Sequence, residues 1–283
     1  MNKIQQATFI CIIVFFIACE SNTETIVTTP TEKFLFEDGF ETQNNSLTEL
    51  FPADNSRWTL IQQTDPSNAT NEISIIDTEV SEGQNAIRFL AYESNTLLSK
   101  IDIEKGGLNI RAGDKLLISA DFYINGNQSI ENLLLIDLEC CSCWDPTVGN
   151  NLGSENQCPG VRLMMSGGND FLSIERGKIL GTTLQQTSVP FPRNQWVSVQ
   201  WEMTMSATES GVNKLFINGT EVLNEFGMNM PNASIFREIF QNQGIEFTLQ
   251  EPTFYERVQI GVTANPTAET VELFVDNFSI SVE

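Results

Sequence analysis

The side chains able to do chemistry in this chain are defined first by an omission: there is no histidine among its 283 residues. That excludes Ser-His-Asp and Cys-His triads, histidine zinc sites and any imidazole acid or base. Tyrosine occurs only three times, so phenol chemistry has few bearers and carboxylates carry most of what remains. In Leu133-Leu134-Leu135-Ile136-Asp137-Leu138-Glu139, the two-residue period of a strand places Leu133, Leu135, Asp137 and Glu139 on one face. Two carboxylates about 7 Å apart on a strand suit general acid and base work on a glycosidic bond. The plainer alternative is a pair of polar residues at a strand end.

A second group is basic and aromatic. Along Thr253 to Val262, the side of Phe254, Val258, Ile260 and Val262 is apolar, so Tyr255, Arg257 and Gln259 point the other way. Arg88 with Tyr92, Arg162 and Arg176 sit on other strand segments or their ends. Gathered in one groove, such residues would hold acidic sugars through bidentate contacts to carboxylate or sulfate. The competing reading is the ordinary polar alternation on the outside of a sandwich. Trp144, beside Cys143 and followed by Asp145-Pro146, offers a flat platform for a sugar ring or packs over the neighbouring cysteines. Glu37, Asp38, Asp276 and Asn277 are hard oxygen ligands of the kind calcium prefers; as Asp-Gly and Asp-Asn they also serve as turn formers and strand ends.

Cys140, Cys141, Cys143 and Cys158 lie in one segment. In an exported chain such a cluster reads as disulfides stapling the loop from Cys140 to Cys158, with adjacent Cys140 and Cys141 poorly placed to pair with each other. A four-thiolate metal site is the alternative, without the two separated Cys-x-x-Cys knuckles that usually build one.

Elements must position these residues, and the pattern is that of short strands. Apolar alternation separated by Gly, Asn, Asp and Pro recurs at Lys33–Glu37, Asn71–Asp77, Ala86–Tyr92, Leu97–Ile103, Lys115–Ile124, Leu133–Glu139, Val161–Met165, Phe171–Glu175, Trp196–Met205, Lys214–Ile217, Thr253–Val262 and Val271–Ser281. Twelve strands imply two sheets. Asn218-Gly219 predicts a type I′ hairpin. Ile235, Phe236, Ile239 and Phe240 stand at helical spacing within Asn232 to Asn242.

The chain begins with Lys3, an apolar run from Phe9 to Ala18, and Cys19. A run that short matches the core of a secretory signal better than a span of about 20 residues. Phe16-Ile17-Ala18-Cys19 resembles a lipobox, which implies cleavage before Cys19, lipid on that cysteine and a membrane anchor; Phe16 departs from the usual Leu. The polar stretch to Glu32 reads as a flexible tether, and Glu20 and Glu24 resemble the acidic export signal of Bacteroidetes-type surface lipoproteins. With 15 basic against 37 acidic residues and a formal charge of −22, nucleic acid and anionic membrane surfaces are excluded as partners.

Trp196-Val197-Ser198-Val199-Gln200-Trp201, Lys214-Leu215-Phe216-Ile217-Asn218-Gly219 and Leu273 to Ile280, with the opening Phe34-Leu35-Phe36-Glu37-Asp38-Gly39-Phe40-Glu41, resemble concanavalin A-like lectin/glucanase domains. That resemblance implies a jelly roll with a calcium ion between first and last strands, held by Glu37, Asp38, Asp276 and Asn277. It also suggests two enzymatic readings. Leu135 to Glu139 is similar to the Glu-x-Asp-x-Glu strand of laminarinase-like hydrolases, but Leu135 stands at the nucleophile position. In a lyase of the superfamily, Tyr255 would be the base and Arg257 would neutralise the uronate. The expectation is therefore an all-β, two-sheet antiparallel jelly-roll sandwich with one short helix over residues 33–283, behind a signal peptide at 1–18 and a tether at 19–32. Its expected role is to bind glycan at the cell envelope, outer membrane or cell surface, without catalysis. A polysaccharide lyase, a degenerate hydrolase and a structural or adhesive module are the alternatives.

Overall fold

The computed structural model of the protein describes residues 34–94, 99–130, 132–143, 159–176, 182–242, 249–265 and 269–283. Cys19, the tether, Trp144 and Cys158 lie outside the described residues. From Phe34 the chain forms β1 (Phe34–Asp38), β2 (Leu60–Thr64), β3 (Glu72–Ile76), β4 (Ala86–Ala91), β5 (Ser99–Ile110), β6 (Lys115–Asn125) and β7 (Asn132–Glu139). It continues as β8 (Gly160–Ser166), β9 (Phe171–Arg176), β10 (Thr182–Pro190), β11 (Val197–Thr204), β12 (Val212–Ile217) and β13 (Thr220–Phe226). A single described helix, α1 (Ala233–Gln241), precedes β14 (Tyr255–Asn265) and β15 (Val271–Val282). Asn232 caps it by accepting the Ser234 and Ile235 amides at 3.0 and 3.1 Å.

All pairings are antiparallel, in two sheets. Sheet I runs β13-β12-β11-β6-β15-β4-β3, with β1 alongside the last residues of β15; sheet II runs β10-β9-β8-β7-β14-β5-β2. In β6, Leu116, Ile118, Ala120, Phe122 and Ile124 are buried while the residues between them are not, as expected of a sheet with one face on the core and one toward solvent. β7 differs: every residue from Leu133 to Glu139 is buried, so its second face is covered too. The hairpin at Asn218-Gly219 forms, with φ of 49° and 73° and Ile217 opposite Thr220.

Three strands escape the sequence pattern, and all three are sheet edges. β13 ends sheet I, and β10 and β2 end sheet II. An edge strand has one neighbour and little burial, so apolar alternation is not required of it. β2, Leu-Ile-Gln-Gln-Thr, has no buried residue.

The first strand is fastened by one carboxylate. Asp38, 6% exposed, accepts Arg57 Nε at 2.9 Å and Nη2 at 2.5 Å, the Trp58 indole N–H at 3.0 Å and the Phe40 amide at 2.7 Å. This holds Trp58, fully buried, among Phe36, Phe40 and Phe278 at centroid distances of 5.1 to 6.0 Å. Removing the carboxylate strands a guanidinium, an indole N–H and an amide at once. Asp38→Ala is therefore expected to lower unfolding free energy by about 3–5 kcal/mol, read as a lower urea midpoint at unchanged slope; a loss under about 1 kcal/mol would show that the network does not clamp β1.

Candidate functional site

The face of sheet II turned away from the core gathers charge. A bulge in β7 sets this up: Leu134 lies opposite Met164 and Ile136 opposite Leu163, leaving Leu135 as the extra residue. The unbroken two-residue period expected from the sequence is thus corrected. Leu133 faces Met165 and joins the core, Leu135 is a fully buried member of the same core, and Asp137 and Glu139 lie on the other face.

Strand register then aligns polar residues across five strands. Glu104 on β5, Gln259 on β14, Asp137 on β7, Arg162 on β8 and Glu175 on β9 are consecutive partners. Two residues away along β14, Arg257 stands opposite Glu139; two residues away in the other direction, Gly261 stands opposite Asp102, which pairs with Gln62 on β2. Of the sequence-predicted residues, Asp137, Glu139, Arg162, Arg257 and Gln259 are therefore brought together. Lys100, Asp102, Glu104 and Gln62 were missed, although Lys100-Ile101-Asp102-Ile103-Glu104 alternates cleanly and needed only to be followed past Ile103.

Hydrogen bonds tie the group into a network. The Lys100 ammonium donates to Gln62 Oε1 at 2.6 Å and Gln259 Oε1 at 3.2 Å and lies 3.1 Å from Asp102 Oδ2. Gln259 Nε2 donates to Glu139 Oε2 at 2.8 Å and Glu104 Oε2 at 3.2 Å. Glu104 also receives Gln62 Nε2 at 2.6 Å and Arg257 Nη1 at 3.2 Å. Arg162 Nε is 4.0 Å from Asp137 Oδ2. Asp102, Glu104, Asp137, Glu139 and Gln259 are at most 2% exposed, and charge at that depth needs close partners.

Other expected members lie elsewhere. Tyr255 is corrected to a core residue: a register shift separates it from Arg257, it is fully buried, and its hydroxyl donates to the Asn229 carbonyl at 2.9 Å. Burial pushes its phenol well above the usual range, so it is no proton acceptor. Arg88 is on sheet I, bonded to Glu272 at 2.6 Å and Glu72 at 3.2 Å. Arg176 pairs with Val161, on the core side of β9 relative to Arg162, and burial lowers its pKa. Cys140 and Cys143 form a disulfide, closing a tight turn. Cys141 is half of another bridge, its partner outside the described residues.

The four oxygen-ligand residues fall near the β1 and β15 junction, where Glu37, Asp38 and Asn277 line a depression of about 460 Å³ with Glu82 and Asp121. They do not fit calcium as a set. Asp38 is neutralised by Arg57, Asp276 accepts the Ser81, Glu82 and Asn277 amides at 2.8 to 3.1 Å, and Asn277 donates to Asp121 at 2.9 Å. Among the described residues no cluster of three His, Cys, Asp or Glu could hold a metal. Melting temperature is accordingly expected to be the same in a chelator as in added calcium, whereas a chelator-induced drop would place a folded-state ion here.

Asp102 is a perturbed acid of the face: burial, reinforced by Glu139 and Asp137 and opposed by Lys100, raises it to about 8. Its folded value exceeds the unfolded one, so between about pH 4 and about pH 8 the folded state holds the extra proton. Stability from this group falls as pH rises through that window and stops falling above it. Asp102→Asn is expected to flatten the decline in urea midpoint from pH 5 to pH 8; equal slopes in both proteins would mean that Asp102 is ionised throughout.

No protein-family model and no curated protein match the sequence. Solved structures do. Endo-β-1,4-glucuronan lyase from the fungus Trichoderma reesei superposes at TM-score 0.57 and 10% identity, over 79% of this chain and 90% of that one. The cellulose-induced protein Cip1 gives 0.56 and 14%, over 87% and 96%. A variant of the alginate lyase Aly36B in complex with alginate trisaccharide gives 0.51 and 11%, over 87% and 97%. Identities this low establish the fold alone: the chain is a two-sheet antiparallel jelly-roll sandwich.

Proposed function

We propose that this protein is a non-catalytic glycan-binding module of the cell envelope, receiving a sugar chain on the polar face of sheet II and held to the membrane by lipid on Cys19. The observation that carries the reading is the convergence of Gln62, Glu104, Arg257 and Gln259, with Asp137, Glu139 and Arg162, on one sheet face. The partly exposed Gln62 amide and Arg257 guanidinium supply donors and an acceptor that sugar hydroxyls need, and the buried acids and Gln259 behind them hold both in place. Leu60, 38% exposed and in register with Glu104, adds an apolar surface for a ring. Structures with the same fold that are named for glucuronan and alginate support a polysaccharide as the ligand, without fixing its charge.

Against a lyase stands Tyr255, buried and committed to Asn229. Against a retaining hydrolase stands Leu135, apolar and in the core. The enzymatic alternative draws on Asp102, whose raised pKa is of the kind found in acid–base catalysts, although that carboxyl is fully buried.

Retention of the protein in native gels cast with a broad polysaccharide panel tests the reading. At least one polymer is expected to slow the protein, and Arg257→Ala to weaken that retention by about tenfold, or about 1.4 kcal/mol. Retention identical in the variant would sink the assignment of this face. Release of reducing or unsaturated ends by the same preparation would move the protein to the enzymes. For the anchor, a clickable palmitate analogue fed to the producing cells should label the protein and fail to label Cys19→Ala; label on the variant would refute lipidation at that residue.

A further inference from the structure

We infer that the polar face of sheet II selects neutral, hydroxyl-rich glycans and excludes uronate and sulfated chains, because Glu104 already occupies the guanidinium an anionic sugar would need. This rests on glycan being the ligand of that face and adds the class of glycan.

Three cations lie on the face among the described residues, and each has an acid beside it. Lys100 is 3.1 Å from Asp102 and donates to two glutamines, which commits its ammonium hydrogens. Arg257 meets Glu104 through Nη1 at 3.2 Å and Glu256 through Nη2 at 3.3 Å. Arg162 lies 4.0 Å from Asp137. Set against them are Asp102, Glu104, Asp137, Glu139 and Glu175. The face is negative with all of these ionised and still negative with Asp102 protonated; in neither state is it positive.

An arriving carboxylate or sulfate would bind by drawing Arg257 away from Glu104. The Glu104 side chain is only 3% exposed, so the exchange would form one ion pair, break another and leave a buried carboxylate without a cation. The anion would also approach a chain of formal charge −22, which repels it at a distance. A neutral sugar meets none of these obstacles. Its hydroxyls accept from the part of Arg257 that is open, 30% of the side chain, and donate to the partly open Glu256 carboxylate beside it, leaving the ion pairs intact. In this arrangement Glu104 is the specificity-determining residue: it converts an anion-binding fork into one arm of a neutral surface.

The test compares the protein with Glu104→Gln on neutral polymers (β-glucan, xylan, arabinan, mannan) and anionic ones (alginate, polygalacturonate, dextran sulfate). The side chain that replaces Glu104 keeps an oxygen to accept the Gln62 and Gln259 amides while releasing Arg257. The native protein is expected to be retained by a neutral polymer and by none of the anionic ones at about 50 mM NaCl. Glu104→Gln is expected to gain retention on an anionic polymer by about tenfold, and to lose that gain near 0.5 M NaCl, where exposed charges are screened. Salt-sensitive retention of the native protein on alginate or dextran sulfate would overturn the inference while leaving glycan binding intact. Retention on no polymer of either kind would remove the glycan reading and this inference with it. Should Glu104→Gln fail to fold, the native protein alone decides: retention on the neutral polymer flat from about 50 to about 500 mM NaCl supports the inference, and a steep fall overturns it.

Discussion

Four carboxylates can share a buried sheet face only if cations and amide hydrogens meet them, and the arrangement of sheet II follows from that requirement. Gln259 is its pivot. As an amide it accepts from Lys100 with its oxygen and donates from its nitrogen to both Glu104 and Glu139, a double role that neither a carboxylate nor a lysine could fill. Its place depends on the register of β14 between β5 and β7. A slip of one residue would turn Val258 and Ile260 outward and set Gln259 and Arg257 into the core, so the pairing of the sheet and the balance of its charge are settled together.

The same logic extends to the scarce basic residues. The sequence has 15 of them against 37 acids, and those in the folded body repeatedly appear as structural counter-charges. Arg57 holds Asp38, Arg88 holds Glu272 and Glu72, and Arg193 holds Asp170. Lys105 caps the Asn55 and Arg57 carbonyls from above the Phe36 ring. These cations are placed where folding would otherwise leave an acid or a carbonyl unmet.

Much of the architecture could be read from the residues, because strands facing a core on one side must alternate. β4, β6, β11 and β15 were legible for that reason, as was the Asn218-Gly219 hairpin, whose positive φ values few other pairs adopt easily. The convergence of Asp137, Glu139, Arg257 and Gln259 was legible too, since each stood opposite apolar partners in its own strand. Register shifts were not. The one between Tyr255 and Arg257 sent the tyrosine inward, and no local pattern announces such a shift, because it is decided by what the neighbouring strand can pair with. Asp38 gives the opposite lesson. Its chemistry is that of a metal ligand, yet Arg57 and Trp58, some twenty residues away, supply the donors instead, and composition at a strand end does not reveal which partner arrives.

The bulge in β7 bears on what such a surface can become. In the sequence Leu135 stands two residues before Asp137, as Asp137 does before Glu139, and it invites the thought that one substitution would add a third acid to the row. The backbone denies this. As the supernumerary residue of the strand, buried in the core beside Leu133 and Ile136, position 135 no longer shares a face with Asp137 and Glu139. An acid placed there would arrive in hydrocarbon, uncompensated. Setting three acids at alternate positions on this face would require removing the bulge first, so the irregular backbone, more than the identity of residue 135, limits which side chains the face can present.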